Sequence, residues 1–304
     1  MDTVIPLWAV ATICAAFMQN LRFMLQRQLR VTRLTTTAAT FARFLWAFPL
    51  AAATAVMWAR VSGATLGMPA PSFLAYAVLG GTAQILATMC VVALFARRHF
   101  AVGMTLKKTD VLQSAVFGLL ILGDRVSAPG LAAIALGLLG VVVLSVAPGQ
   151  VGRGWRQIWN ESAGLGLLAG TLFGISGVAY RGPTLSVPSE DPLLRAAVTL
   201  AVVTFGQTVA LGAWLCHREP AQLGIVLRAW PVTSLVGLAS VAGSLGWFTA
   251  YTLQGAAYVN GLGQVEVLFS VIAGRLVFGE RLGGREFLGI VLLTVSVTAL
   301  VLVA

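Results

Sequence analysis

Apolar runs follow one another along almost the whole chain, each bounded by charges, Pro or Gly, at roughly 4–25, 35–59, 71–95, 100–122, 128–147, 161–181, 191–215, 228–252, 255–278 and 284–303. Each is close to the roughly 20 mostly apolar residues that a transmembrane helix requires. The pattern predicts an all-α integral membrane protein of ten transmembrane helices. The connections are short, and the longest, around Pro148 to Asn160, separates spans five and six. Met1-Asp2-Thr3 has no basic stretch, so the run from Val4 reads as a span rather than a signal peptide.

The chain also repeats itself. A shift of 156 residues aligns its halves without a gap: Val111-Leu112 falls on Val267-Leu268, Ser114 on Ser270, Gly118 on Gly274, Leu120 on Leu276, Gly123 on Gly279 and Arg125 on Arg281. The acids correspond, Asp110 with Glu266 and Asp124 with Glu280. Phe17 meets Phe173, Trp58 meets Trp214, Gly81 meets Gly237 and Ile134 meets Ile290, so the repeat extends over nearly the whole sequence. Five spans is an odd number, so a copy that follows directly crosses in the opposite sense. The expectation is two inverted five-helix repeats, 4–147 and 161–303, an architecture that secondary transporters use for alternating access around a site at the midplane.

Composition supports lipid as the outer solvent: 58% of residues are hydrophobic and 10% charged, against about 25% charged in soluble domains. The net charge of +10 comes from arginines scattered between apolar runs, which excludes the basic face that nucleic-acid binding needs. Loops after the odd-numbered spans hold Arg27, Arg30, Arg33, Arg97, Arg98, Arg153, Arg156, Arg218, Arg228, Arg281 and Arg285, and the other side holds Arg60, Arg125, Arg181 and Arg195. The positive-inside rule puts the richer side in the cytoplasm and both termini outside. Cys14, Cys90 and Cys216 lie far apart and read as small apolar residues. His99 and His217 fall between runs, with no metal constellation, no H-E-x-x-H and no nucleophile–base pair to suggest a membrane-embedded enzyme. No Walker A motif occurs, and no cofactor is called for.

The turn Leu122-Gly123-Asp124-Arg125-Val126-Ser127, with the Gly-rich helix after it, resembles the end of an EamA-type domain, and Phe278-Gly279-Glu280-Arg281-Leu282 resembles a second copy. Arg43, in Phe41-Ala42-Arg43-Phe44-Leu45, is similar to an arginine that such domains often carry early in their second helix. Two tandem EamA-like domains make the fold of the drug/metabolite transporter superfamily. The resemblance implies export or exchange of a small metabolite such as an amino acid or a drug-like compound, at a plasma (bacterial inner) membrane. It also implies cytoplasmic termini, opposite to the arginine distribution.

An ionisable group at the bilayer centre costs at least about 2.5–3.5 kcal/mol and reads as functional by default. Lys107, Lys108 and Asp110 lie within about 6 Å of the midpoint of span four, and Glu266 sits at the midpoint of span nine. In a structural reading Asp110 neutralises Lys107 at i−3 and Glu266 pairs with an arginine. In a functional reading a carboxylate takes up and releases a proton in each cycle. Arg43, roughly 12 Å into span two, is a counter-ion for one of the acids or a clamp for a substrate carboxylate or phosphate. Gln84 and Gln264 are the better cavity candidates among Gln19, Asn20, Gln84, Gln113, Asn260 and Gln264. Arg22 and Arg275 sit nearer span ends, where snorkelling is the ordinary outcome.

Three positives against two acids make a cavity that favours a carboxylate-bearing substrate. Proton coupling, exchange and facilitated diffusion stay open, and flipping of a lipid-linked intermediate is the alternative function. Trp8, Trp46, Trp247, Tyr180 and Tyr251 read as interface-belt or packing residues. Gly166, Gly170 and Gly174 form a close-packing stripe on span six, within the bundle or at a homodimer contact.

Overall fold

A computed structural model describes residues 5–30, 34–64, 69–94, 106–145, 161–269, 272 and 284–304. The Phe278–Leu282 turn, Arg275 and the connection around 148–160 lie outside the described residues.

Among the described residues every regular element is a helix. They are α1 (Leu7–Arg30), α2 (Thr36–Ser62), α3 (Ser72–Leu94), α4 (Asp110–Leu122), α5 (Ala128–Ser145) and α6 (Glu161–Ser186). Then follow α7 (Pro192–Arg218), α8 (Pro220–Arg228), α9 (Trp230–Leu253), α10 (Ala256–Leu262) and α11 (Gly284–Val303). Six of them, α1, α2, α3, α6, α7 and α9, are long and apolar enough to cross a membrane, and Asp110–Leu122, Ala128–Val143 and Phe287–Val303 are shorter apolar helices. The chain is a multi-pass membrane protein. The nine-residue α8 lies in what the hydropathy pattern treats as a plain connection between spans seven and eight.

Local signals fix the helix ends. Thr35 Oγ1 accepts from the Ala38 amide at 3.2 Å and caps α2. Asp191 Oδ1 accepts from the Leu193 and Leu194 amides at 2.8 and 3.2 Å, with Pro192 at the first position of α7. Gly123 ends α4 at φ 74°, which a residue without Cβ adopts freely, and the Asp124 amide returns to the Gly118 carbonyl at 3.0 Å.

The principal packing pairs are α3 on α6, α1 on α9, α5 on α11, α2 on α7, α2 on α9, α4 on α6 and α10 on α4. Small residues permit the close approaches: Gly170 of α6 lies against the Lys107 carbonyl and Thr109, and Gly174 against Asp110 and Gln113. The glycine stripe on span six thus packs inside the bundle at these two positions. Trp46 is tied inward as well, its indole N–H donating to Thr233 Oγ1 at 2.9 Å, and Trp8 is buried in the core.

Candidate functional site

Spans four and nine each tighten over one turn from α-helical to i→i+3 bonding, with Thr109 and Gly263 still in the right-handed helical region (φ −65° and −60°). In span four 106–107 are helical, Lys108-Thr109 form a tighter helical turn and α4 begins at Asp110. Thr109 Oγ1 and its amide both bond the Leu106 carbonyl, at 2.7 and 3.1 Å, closing this turn. In span nine α10 ends at Leu262, Gly263-Gln264 forms a turn, and helix resumes at 265–269. The 156-residue register sets Lys108 on Gln264 and Asp110 on Glu266, so the two turns overlap at one position. Asp110 opens a 13-residue helix and so lies roughly 18 Å from its far end.

The turns face a cavity with about 620 Å³ of empty space, including space open at its mouth. Asp110, Glu266, Lys107, Lys108, Arg43, Gln84 and Gln264 all line it. Lys108 Nζ donates to Glu266 Oε2 at 2.7 Å, which Gln19 Nε2 also approaches at 3.4 Å. Glu266 is thus paired with Lys108, a lysine of the turn itself, where the structural reading expected an arginine partner. Lys107 Nζ is 3.8 Å from Asp110 Oδ2, a longer contact on the same helical face, and lies 4.8 Å from the Phe173 ring centroid.

Arg43 is held by hydroxyls. Its Nε donates to Ser240 Oγ at 2.8 Å, Nη1 to Thr88 Oγ1 at 2.9 Å and Nη2 to Ser244 Oγ at 3.4 Å. No carboxylate pairs with it among the described residues, so the counter-ion reading of Arg43 gives way to a hydroxyl cage. Gln84 belongs to a fixed network, its Oε1 accepting from Tyr180 OH at 2.9 Å and Gln207 Nε2 at 3.0 Å. Gln264 differs: at 1% exposure, neither its Nε2 nor its Oε1 has a partner among the described residues.

Several contributors escape hydropathy. Tyr180, Trp247 and Tyr251 line the cavity rather than forming an interface belt, with Trp247 stacked on Tyr251 at 6.0 Å between ring centroids. Arg22 does not snorkel: it is 2% exposed, and its Nη1 donates to Gln26 Oε1 at 2.7 Å. The small hydroxyls of Thr88, Ser240 and Ser244 carry no signal until α3 and α9 converge on Arg43, although the repeat register does pair Thr88 with Ser244.

Toward the far ends of α4 and α9 lies a second cavity, bordered by Ser114, Asp124, Arg181 and Tyr258. Arg181 is no loop residue: it sits within α6, its Nε 3.0 Å from Asp124 Oδ2 and its Nη1 donating to the Tyr251 and Gln254 carbonyls at 2.6 and 2.8 Å. Tyr251 OH donates to Asn260 Oδ1 at 2.7 Å and Asn260 Nδ2 to Ser114 Oγ at 2.6 Å, a single layer of side chains between the two cavities. Among the described residues no cluster of three His, Cys, Asp or Glu side chains could hold a metal ion.

The EamA-like transporter family matches residues 161–302. A Sinorhizobium sp protein described as an uncharacterized transporter in the cobO 3'region is 31% identical over 134 residues, which cover 44% of this chain and 89% of that protein. A solved structure titled only as the crystal structure of a protein superposes with a TM-score of 0.64 at 15% identity, over 95% of this chain and 99% of its own, a likeness of fold alone. Sequence relationship and helical architecture agree, and the chain belongs to the EamA-like transporter family of the drug/metabolite transporter superfamily.

Proposed function

We propose that this membrane transporter is a secondary transporter of a small carboxylate-bearing metabolite, working as an exporter or exchanger at the plasma membrane and coupled to protons through Asp110. The observation that carries the reading is the pair of tightened helical turns, at Lys108-Thr109 and Gly263-Gln264, which overlap in the repeat register and face one cavity lined by charge. Inverted-repeat transporters place their solute site where corresponding helices of the two halves meet, and polar groups there face the cavity rather than lipid.

The architecture in this reading is ten spans in two inverted repeats, 4–147 and 161–303. Its support is the packing pattern. The register that aligns the halves exchanges the α3–α6 contact with α1–α9, and α2–α9 with α7–α3, and maps α5–α11 and α2–α7 onto themselves. A bundle with a pseudo-two-fold axis in the membrane plane has this property, and rocking one half against the other opens the central cavity to alternate sides.

Three lysine and arginine side chains against two carboxylates leave the cavity lining net positive, which favours an anionic solute. Of the acids, Asp110 suits the coupling role better. Its ammonium partner stands at 3.8 Å, against 2.7 Å for Glu266, and its side chain is 13% exposed against 7%. Less of its environment is committed to the charged form, so a proton can come and go with less rearrangement.

Uptake and efflux by proteoliposomes against a pooled metabolite library, under an imposed pH gradient, tests this. A carboxylate that follows the gradient with wild type, and loses that dependence in Asp110→Asn, is the expected result. Coupling that survives Asp110→Asn and vanishes in Glu266→Gln would move the proton site to Glu266. A pool that never moves in either direction would sink small-solute transport and favour flipping of a lipid-linked compound.

A further inference from the structure

Resting on the transport reading above, we propose that Arg43 is the residue that takes the substrate's carboxylate, and that Gln264 on span nine reads a neutral polar group elsewhere on the same solute. The cations of the cavity divide into two kinds. Lys108 is committed to Glu266 at 2.7 Å and Lys107 to Asp110 at 3.8 Å. Arg43 lines the same cavity at 3% exposure, yet its bonded partners among the described residues are hydroxyls. A buried guanidinium facing neutral acceptors keeps most of its desolvation cost uncompensated until an anion arrives. Arg22, also buried, is bonded to Gln26 and lies behind the cavity wall rather than on it.

The geometry of the cage suits an anion. A guanidinium has five N–H donors in a fixed planar fork. The hydroxyls take one from each nitrogen, the third at a long 3.4 Å. The remaining Nη hydrogens can form the paired, parallel bonds by which arginine recognises a carboxylate. The hydroxyls come from α3 (Thr88) and α9 (Ser240, Ser244), which the repeat register pairs with each other. The cage therefore sits where the two halves meet, and the motion that transports the solute changes its shape. Thr199 occupies the place of Arg43 in the second half, so the site has one guanidinium and a solute binds in one orientation.

Gln264 supplies the second contact once transport moves the cavity wall; in this state its amide oxygen lies against Gly137 of α5. A buried amide with both ends unpartnered among the described residues is costly without a ligand. It carries a donor and an acceptor, which a solute group with the same pair, such as an amide or a hydroxyl, satisfies.

The experiment is thermal stabilisation of the purified full chain in detergent by a panel of small carboxylic acids, each matched with its neutral primary amide, and by inorganic phosphate. At least one acid is expected to stabilise wild type while its amide does not. Arg43→Gln abolishes that shift, and Arg43→Lys, which keeps the charge and loses the fork, weakens apparent affinity by about tenfold. If Arg43→Gln does not fold, Arg43→Lys carries the test, and wild-type affinity in that variant overturns the proposal. It is equally overturned if acids stabilise Arg43→Gln as well as wild type, if acids and amides act alike, if phosphate alone acts, or if no acid acts. Gln264→Met is expected to weaken only acids that bear a second polar group, and an unchanged ranking removes Gln264 from the site. Proteoliposomes that exchange a neutral or cationic solute would leave the transport reading standing while this site falls.

Discussion

Lys108 and Glu266, 158 residues apart in the chain, meet at 2.7 Å where the tightened turns of spans four and nine face each other. The bond joins the two halves at the place where each tightens its helix into i→i+3 bonding. Removing one partner takes this opposite charge from the other, still buried, at a cost of up to about 3–5 kcal/mol. Lys108→Met and Glu266→Gln are each expected to lower the unfolding free energy in detergent by up to that much. The double variant Lys108→Met/Glu266→Gln removes both charges, so its loss falls well short of the sum of the singles. Additive losses in a double-mutant cycle would show that the two side chains do not depend on each other.

Gly170 allows the turn that carries Lys107 and Asp110 to lie directly on α6. A Cβ there meets the Lys107 carbonyl at 2.8 Å and Thr109 Oγ1 at 3.2 Å. The nearer atom is backbone and cannot swing aside, so Gly170→Ala displaces the turn, at about 1–3 kcal/mol of overpacking. Gly164, on the same helix, has nothing within 4 Å of its added Cβ, and Gly164→Ala is expected to be neutral or stabilising by up to about 1 kcal/mol. Thermal unfolding of the two variants checks the contrast, and equal effects would remove the steric account.

The ionisable side chains of the cavity are readable from sequence because hydrocarbon makes a charge at mid-span conspicuous, and Asp110, Glu266, Lys107, Lys108 and Arg43 all line one cavity. The tightened turns are not readable in the same way. Hydropathy sums over a window, and neither Lys108-Thr109 nor Gly263-Gln264 interrupts the apolar run long enough to register as a turn. Gly261 and Gly263, at the second turn, are the nearest thing to a signal. Partner choice was also out of reach: which lysine faces Glu266 depends on how far the turn at 108–109 rotates the side chains before α4 begins. Arg22 illustrates the limit of counting residues from a span end, since α1 runs on to Arg30 and buries it.

Asp191, in the connection between α6 and α7, ties α2 to the first turn of α7. Trp58 of α2 donates its indole N–H to Oδ2 at 2.6 Å, and the Leu193 and Leu194 amides donate to Oδ1. Burial acts to raise its pKa, but the Trp58 bond and the Leu194 and Leu193 amides outweigh that and hold the carboxyl below the usual aspartate range. A depressed folded-state value gives stability that is present above the unfolded pKa of about 3.9 and lost as pH falls through the lower folded value. Wild type should therefore lose thermal stability on acidification below about pH 4, and Asp191→Asn should lose less over the same interval. Parallel pH profiles would show that the carboxylate's charge contributes nothing there.

Gln264 offers a test in which stability and function move in opposite directions. Its amide is buried with no partner among the described residues, so the folded protein bears the desolvation cost of both ends, of order 1–3 kcal/mol for each unsatisfied group. Gln264→Met keeps the length of the side chain and removes that cost. The expected result is a higher unfolding temperature, by about 1–2 kcal/mol of stability, together with loss of solute flux in proteoliposomes. A residue kept for packing or for a structural hydrogen bond would behave the other way, losing stability and retaining flux at the level of protein that folds. Gln84 supplies the comparison. Its carbonyl oxygen already accepts two hydrogen bonds, from Tyr180 and Gln207, so Gln84→Met should destabilise. Opposite signs for two glutamines on the wall of one cavity would separate the group held ready for a solute from the group that holds the wall.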